Sequence, residues 1–212
     1  MVFEELLTLL GREPLFETGF LLAGDMKPGY ARRQLSDWVN SGKLWQLRRG
    51  LYMPAPPYQR LSPHPFVVAN RLVRSSYVSL QAALAYYDII PEHVAAVTSV
   101  TARRPGRWVT PAGVYSYRHV RPSLLFGYRT LTVGEGQTAF VATPEKALLD
   151  LIYLQPEADV AGYVRSLRLQ NLATLDLELL RDLAARFAKP KLQQAVKAII
   201  AEVGLEVVSE PL

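Results

Sequence analysis

Residues 18–54 of the chain read TGFLLAGDMKPGYARRQLSDWVNSGKLWQLRRGLYMP, and this stretch decides the fold of the first part of the protein. Pro28 suits the first turn of a helix, where a missing N–H loses no hydrogen bond, and Gly42 suits the point at which such a helix ends. Between them apolar residues recur at intervals of three and four, namely Ala31, Leu35, Trp38 and Val39. The spacing predicts a helix between Pro28 and Gly42 whose apolar stripe faces a core.

The opposite face of this helix is polar and basic. With Leu35 pointing inward and about 100° of rotation per residue, the outward residues are Tyr30, Arg33, Asp37 and Asn40. Arg32 and Gln34 lie on the flanks, and Lys27 precedes the helix. We predict that this face enters the major groove of double-stranded DNA, with contacts from Lys27, Tyr30, Arg32, Arg33, Gln34 and Asn40.

A hairpin is predicted directly after this helix. Two short apolar runs, KLWQL and LYMP, flank Arg48, Arg49 and Gly50. Glycine supplies the positive φ that a tight hairpin needs, so we expect both arginines to be held out at the tip as further DNA contacts.

Two helices are expected before the helix that lies between Pro28 and Gly42. Near the start of the chain, Phe3, Leu6, Leu7 and Leu10 form an apolar stripe with helical spacing. This stripe predicts a first helix, against which we expect Trp38 to pack. A short second helix is predicted from Thr18 to about Ala23, with a turn beginning at Gly24 and Asp25. Together these elements predict a winged helix-turn-helix domain over residues 1–58.

Basic charge is concentrated in the predicted DNA-binding segment. Residues 27–60 contain seven Lys and Arg against one acid, which gives +6, whereas residues 1–26 contain one Arg against five acids, which gives −4. This segregation favours nucleic-acid binding. The alternative is a charged face that is simply solvated.

The composition limits the classes of function. The chain has 212 residues, a net charge of +5, 50% hydrophobic residues, three histidines and no cysteine. The lack of cysteine excludes disulfides and thiolate-bound zinc, and three scattered histidines argue against a metal site. Neither a signal peptide nor an apolar run of about 18 residues is found. We therefore expect a cytoplasmic protein without metal, cofactor or membrane contact, and with an acidic partner such as DNA.

A proline-rich connector predicts a domain boundary near residue 60, with a second domain over residues 62–212. Helices are expected at residues 65–73 and 79–87, and strands at about 95–100, 107–109, 113–118, 128–133 and 138–142. These strands are expected to form a small antiparallel sheet. The predicted class is α+β, in which the winged helix precedes a sheet-containing part up to about residue 142 and a helical part over residues 143–204.

Four stretches in a fixed order carry a family resemblance. They are RRGLYMP (48–54), SLQAALAYYDIIPE (79–92), VTSVTARRPGRWVTPAGVYSYRHVRPSLLFGYR (97–129) and ATPEKALLDLIYL (142–154). With these motifs the chain resembles the AbiEi-type antitoxins and transcriptional regulators of bacterial type IV toxin–antitoxin systems, over roughly residues 16–154. The resemblance implies a winged-helix domain that binds inverted repeats in its own promoter. It also implies a second domain that counteracts a nucleotidyltransferase-like toxin, with or without direct contact.

A second basic segment lies at residues 93–129, which contain His93, His119, six arginines and no acid. Arginines beside aromatic residues suit phosphate contact together with base stacking. We predict a nucleic-acid or antitoxin surface formed by Arg103, Arg104, Arg107, Trp108 and Arg118. The alternative is that the aromatic residues fill the inner face of the sheet, while the arginines are solvated or paired with Asp88 and Glu145.

Catalysis has little support in the sequence. Ser79, His119 and Asp150 have no spacing that requires them to converge, and Ser79 is predicted to cap a helix while Asp150 lies on the outer side of its own. His64, between two prolines, is interpreted as a linker residue. We expect no enzymatic activity. Three hypotheses remain: a DNA-binding antitoxin and autorepressor, a winged-helix transcription factor that senses a ligand, and a nucleic-acid-modifying enzyme.

Overall fold

The computed structural model describes residues 1–22, 27–92, 94–156 and 159–209. The predicted end of the second helix at Ala23, the turn at Gly24 and Asp25, and His93 of the second basic segment lie outside the described residues.

The N-terminal elements build a small three-stranded sheet beside short helices. In chain order they are α1 (Phe3–Leu10), β1 (Phe16–Glu17), α2 (Thr18–Leu22), α3 (Pro28–Asn40), β2 (Leu44–Arg48) and β3 (Leu51–Pro54). The sheet is antiparallel, in the order β1-β3-β2. Gly42 and Gly50 take φ values of +72° and +82°. The predicted helix after Pro28, its stop near Gly42 and the following hairpin are thereby confirmed.

Trp38 lies in the core between α1 and α3. Trp38 is only 7% exposed and belongs to the same core as Leu6 and Leu10, and the partly buried Leu7 packs against this core. The rings of Trp38 and Phe3 meet edge to face with their centroids 5.4 Å apart. The predicted packing of Trp38 against the first helix is confirmed.

The second sheet has six strands and is mixed. The elements of this part are α4 (Pro65–Leu72), β4 (Ser76–Val78), α5 (Leu80–Tyr86), β5 (Val97–Thr101), β6 (Gly106–Thr110), β7 (Gly113–His119), β8 (Tyr128–Val133) and β9 (Gln137–Ala142). The strand order is β6-β7-β5-β4-β9-β8. The β4/β9 and β5/β7 pairs are parallel and the others antiparallel. The expected small antiparallel sheet is therefore wrong for two reasons. The unpredicted β4 pairs parallel with β9, and β7 rather than β6 lies beside β5 and runs parallel to it.

Four helices close the chain, and the first of them contacts β9 of this sheet. They are α6 (Pro144–Leu154), α7 (Val160–Ser166), α8 (Leu177–Phe187) and α9 (Pro190–Ser209). The Thr143 hydroxyl accepts a hydrogen bond from the backbone N–H of Lys146 at 3.3 Å and thereby caps α6. α6 packs against both α5 and α8. This contact places the middle of α6 in the interior of the protein.

The larger core crosses the predicted domain boundary. Leu15, Leu47, Leu51 and Met53 precede residue 60, yet all four belong to the core that the second sheet and its helices form. One face of the β2–β3 hairpin therefore packs on the second part of the chain. A separate smaller core is formed within the N-terminal part, by residues that include Phe3, Leu35 and Trp38.

Candidate nucleic-acid interface

The outward face of α3 is open to solvent. Tyr30 is 55% exposed, and the other exposed members of the predicted DNA-binding set on and before this helix are Lys27, Arg32, Arg33 and Asn40. The same helix buries Ala31, Leu35 and Trp38 on its other side. Packing of the apolar stripe thus fixes which way the basic side chains point.

Gln34 differs from the rest of the predicted set. Its Nε2 donates a hydrogen bond to the backbone carbonyl of Met1, and its Oε1 is buried without a hydrogen-bond partner among the described residues. The Gln34 side chain therefore ties α3 to the N-terminus of the chain rather than extending from the outward face.

The two arginines of the hairpin have different surroundings. Arg49 is exposed, next to Gly50 at the turn. Arg48 instead donates from Nε to the carbonyl oxygen of Leu72 at 2.9 Å and from Nη2 to that of Arg71 at 3.2 Å. These carbonyls end α4, where a helix leaves acceptors unpaired and favours a positive charge. The prediction that both arginines are held out at the tip is wrong for Arg48, because its guanidinium caps a helix of the second part.

The hairpin and the second basic segment meet in one groove. The groove has a volume of about 640 Å³, and its charged and aromatic lining consists of Arg48, Arg74, Arg103, Arg104, Arg107 and Trp108. Arg103 and Arg104 lie between β5 and β6, while Arg107 and Trp108 lie on β6 itself. The sequence predicts two separate surfaces here, one with the hairpin arginines and one around residues 103–108, and Arg74 belongs to neither. The fold brings them together, and we call this feature the basic groove.

Glu17 partly neutralises one wall of the basic groove. Its carboxylate lies 3.3 Å from Arg48 and 2.5 Å from Arg74, whose side chain is nevertheless 69% exposed. Among the described residues, Glu17 is the only acid in an ion pair with an arginine of this groove. The groove therefore keeps a strong excess of positive charge.

Hydrogen bonds hold the turn between β5 and β6 in place. The Arg103 backbone N–H donates to the Thr101 hydroxyl at 3.1 Å, and Nδ1 of His119 lies 3.0 Å from the Arg103 carbonyl oxygen. The backbone of the turn is thereby fixed while the side chains of Arg103 and Arg104 remain exposed. Such a fixed turn reduces the conformational entropy lost when a phosphate binds.

The second basic segment was predicted either to form a nucleic-acid surface or to fill the sheet with its aromatic residues, and each prediction holds for some residues. Tyr115, Tyr117 and Phe126 are buried, as the second prediction requires, whereas Trp108 is 36% exposed. Glu145 is buried and accepts a hydrogen bond from the Asp176 backbone, so it does not pair with an arginine. Arg118 is exposed but lies beside the Leu154 carbonyl, 3.5 Å away, at the end of α6. Four of the five predicted surface residues therefore share the groove.

A buried polar cluster escaped the sequence reasoning. Asp150 accepts hydrogen bonds from the Ser79 hydroxyl at 2.8 Å and the Tyr77 hydroxyl at 2.9 Å, and Lys146 pairs with the same carboxylate. Lys146 and Asp150 are fully buried. The prediction that Asp150 lies on the outer side of its helix is thus wrong. The prediction that Ser79 caps α5 is also wrong, because its side chain makes no cap hydrogen bond. The missed signal is a Lys and an Asp four residues apart inside an apolar run.

The surroundings of this cluster shift its titration. Burial raises the pKa of the Asp150 carboxyl, and Lys146 opposes that rise. Burial also lowers the pKa of the Lys146 ammonium, opposed by Asp150. The ammonium lies 4.8 Å from the centre of the Phe187 ring and 5.0 Å from that of Phe126. With both charges closed off from solvent, the arrangement fits a structural role that joins β4 to α6.

His64 caps a helix rather than serving as a linker residue alone. Its Nδ1 accepts a hydrogen bond from the Phe66 backbone N–H at 3.2 Å at the start of α4, and burial lowers its pKa. In the part of the chain that the structure describes, no group of three or more His, Asp or Glu residues is placed to hold a metal ion. Nor does any helix there have the length and apolar content needed to span a bilayer.

Comparison with known proteins gives a likeness of fold. No family model matches the chain, and no curated protein matches it. Among solved structures, the chain is similar to the crystal structure of the RV2827C protein from Mycobacterium tuberculosis, with a TM-score of 0.59 and 15% sequence identity. The match covers 93% of this chain and 75% of that chain. The α+β arrangement is thus shared with that protein.

Proposed function

We propose that this protein is a DNA-binding antitoxin and autorepressor of the AbiEi type, acting in the cytoplasm. In this proposal its N-terminal part is a winged helix that binds inverted repeats in the promoter of its own operon, and its second part counteracts a nucleotidyltransferase-like toxin. The observation that carries the proposal is the exposed basic face of α3, placed on the same molecule as the basic groove.

The order of the N-terminal elements supports a winged helix. α3 is the last helix before the β2–β3 hairpin, and a three-stranded sheet of order β1-β3-β2 stands beside it. In DNA-binding domains of this type the last helix enters the major groove. Arg33 is the candidate for a base edge, because an arginine bound to guanine through two hydrogen bonds is the commonest specific contact.

The remaining basic residues fit backbone contacts. Lys27, Arg32 and Arg49 are exposed beside or beyond the outward face of α3. Phosphate contacts of this kind set the position of a protein on the duplex and carry no sequence information. Arg48 contributes indirectly, since it fixes the hairpin against α4.

The basic groove is the surface that we assign to the antitoxin role. Its position between the hairpin and the β5–β6 turn makes it accessible to a nucleic acid, and Trp108 offers an exposed ring for stacking. The antitoxin role itself rests on the resemblance of the four motifs. The groove supplies a physical means, because it can compete with the toxin for a nucleic-acid target.

A DNA titration tests the proposal. Fluorescence anisotropy at fixed salt compares a duplex from upstream of the gene, containing its inverted repeat, with a scrambled duplex of the same composition. We expect tight binding to the first, and a loss of about 1 to 3 kcal/mol together with relaxed preference in Arg33→Ala. Arg165→Ala on α7, also an exposed arginine, serves as the matched control and should behave as wild type. Equal binding of both duplexes by the wild type would refute sequence-specific DNA recognition.

A further inference from the structure

One large cleft has no residue of α3 in its lining. It has a volume of about 940 Å³, and its walls come from the N-terminal part (Leu10, Glu13), from α4 (Asn70, Arg71) and from β9 (Thr138, Phe140). Pockets of this size hold drug-sized and cofactor-sized molecules. The proposed DNA-binding role does not use this cleft.

One wall of the cleft is a place where β4 and β9 separate. Among the described residues β4 pairs with β9 only at Val78 and Val141, so before Val141 the backbone of β9 has no strand partner on this side. At Phe140 the side-chain amide of Asn70 stands between the two strands, and its Nδ2 also lies 3.5 Å from the Ser76 carbonyl oxygen of β4. The Phe140 N–H donates to Oδ1 of Asn70 at 2.7 Å, and Nδ2 of Asn70 lies 3.4 Å from the Phe140 carbonyl oxygen.

The same backbone pattern recurs at Thr138. In an antiparallel ladder, peptide groups alternate between facing the partner strand and facing away from it. Phe140 is paired with Thr130 of β8 but turns its N–H and C=O toward Asn70, so Thr138, two residues earlier and opposite Thr132, turns its own in the same direction. Thr138 lines the cleft. The cleft therefore presents a backbone donor beside a backbone acceptor, the arrangement that holds the planar amide of Asn70.

Exposed aromatic rings and arginines complete the lining. Phe140 is 48% exposed and Tyr128 is 42% exposed, and one face of Tyr128 stacks on Tyr77 with the centroids 4.6 Å apart and the planes 12° apart. Aromatic surface of this kind stacks on flat heterocycles. Arg71 and Arg74 line the α4 side of the cleft. One Nη of Arg71 donates to the Leu15 carbonyl oxygen at 3.4 Å and one Nη of Arg74 pairs with Glu17, and the other N–H groups of both guanidinium groups suit an anion.

We propose that this cleft binds a nucleotide. The flat base stacks on the exposed aromatic wall, its amide edge meets the N–H and C=O of Thr138, and its phosphate lies toward Arg71 and Arg74. Because the cleft has walls from both parts of the chain, the bound nucleotide stabilises the contact between them. Nucleotide binding in this cleft uses none of the residues predicted to contact DNA.

Calorimetric titration and thermal unfolding of the full chain test the proposal. The probes are AMP, GMP, CMP and UMP, with ribose 5-phosphate and inorganic phosphate as ligands that lack a base. We expect at least one nucleotide to bind with one site per chain and to raise the melting temperature. The two ligands without a base should not do so. Phe140→Ser, which removes the exposed ring, and Arg71→Ala should each weaken binding by roughly tenfold or more.

A matched control and three outcomes decide the question. Arg181→Ala on α8, another exposed arginine, should bind the nucleotide as wild type does. The proposal is overturned if no nucleotide binds at concentrations up to about 1 mM, the weak end of specific binding. It is also overturned if ribose 5-phosphate binds as tightly as the nucleotide, or if both cleft variants bind as wild type does. Circular dichroism of both variants establishes that any loss of binding occurs in folded protein.

Discussion

Arg48 and Leu72 connect the two parts of the protein. Nε of Arg48, at the end of β2, donates to the carbonyl oxygen of Leu72, the last residue of α4, at 2.9 Å. The arginine is thus a helix cap and an ion-pair partner of Glu17, whereas its neighbour Arg49 remains exposed. Two adjacent residues of the same type therefore have separable roles.

The first prediction compares these two arginines. Arg48→Ala should lower the free energy of unfolding by about 2 kcal/mol, because hydrogen bonds from charged groups contribute about 1.5 to 3 kcal/mol. Arg49→Ala should change stability by less than about 0.5 kcal/mol and reduce the salt dependence of DNA binding by about one unit of slope. Urea denaturation and anisotropy titrations over a range of salt measure both. An Arg48→Ala protein as stable as wild type would contradict the anchoring role.

The second prediction concerns the buried pair of Lys146 and Asp150. Asp150→Ala should lower the free energy of unfolding by about 3 to 5 kcal/mol, since it leaves a buried ammonium without its partner. Combining Asp150→Leu with Lys146→Met should recover part of that loss, because no charge then remains buried. The Ser79 and Tyr77 hydroxyls still lose their acceptor, so recovery is incomplete. Denaturation curves that place the double variant no higher than Asp150→Ala would argue against an uncompensated charge as the cause.

The third prediction is a pH dependence that arises from His64. Burial lowers its pKa below the ordinary 6.5 in the folded protein, so the unfolded chain takes up a proton more readily than the folded one. The stability that the neutral ring contributes is complete above that ordinary value and is lost as the pH falls through the folded-state pKa. His64→Asn keeps an acceptor at this helix cap without titrating.

The test is therefore a difference between two proteins. The free energy of unfolding of wild type minus that of His64→Asn should fall as the pH is lowered from about 7.5 to about 5. Carboxylates that titrate in both proteins cancel in this difference. A difference that stays constant over the range would show that the Nδ1 contact with Phe66 makes no pH-dependent contribution.

Local patterns predicted the elements whose signals lie within a few residues. α3 follows from Pro28, the apolar spacing and Gly42, and the β8–β9 hairpin follows from two alternating runs around glycines. The orientation of α3 follows as well, since burying Leu35 and Trp38 leaves Tyr30 and Arg33 outward. For a helix such as α3, the spacing of apolar residues in the sequence already specifies which face is buried and which is exposed.

The errors at Arg48 and Asp150 involve partners that are distant in the chain. Arg48 meets carbonyls more than twenty residues away, and Asp150 meets hydroxyls more than seventy residues away. A charge-outward rule places Asp150 on the surface because the helix alone does not show that α5 and α8 cover it. β4 is only three residues long, which is too short for a recognisable alternation. Without β4, the mixed order of the sheet was not predictable.

The last prediction concerns the basic groove, which is the part of the site that sequence reasoning divided. Reversing Arg103, Arg104 and Arg107 to Glu changes the charge of the groove wall while leaving the buried aromatic residues in place. Because all three side chains are exposed, the protein should remain folded by circular dichroism. It should still prefer its operator over scrambled DNA, since the outward face of α3 is unchanged.

The same triple variant should fail as an antidote. Cells that express the cognate toxin beside it should stop growing, because the groove no longer attracts a nucleic-acid target that the toxin also needs. A triple reversal of exposed basic residues on α7, α8 and α9, namely Arg165, Arg181 and Lys197, introduces the same change of charge elsewhere and should still protect. Full protection by the folded groove variant would show that these three arginines form a solvated turn, and that antidote activity requires another surface.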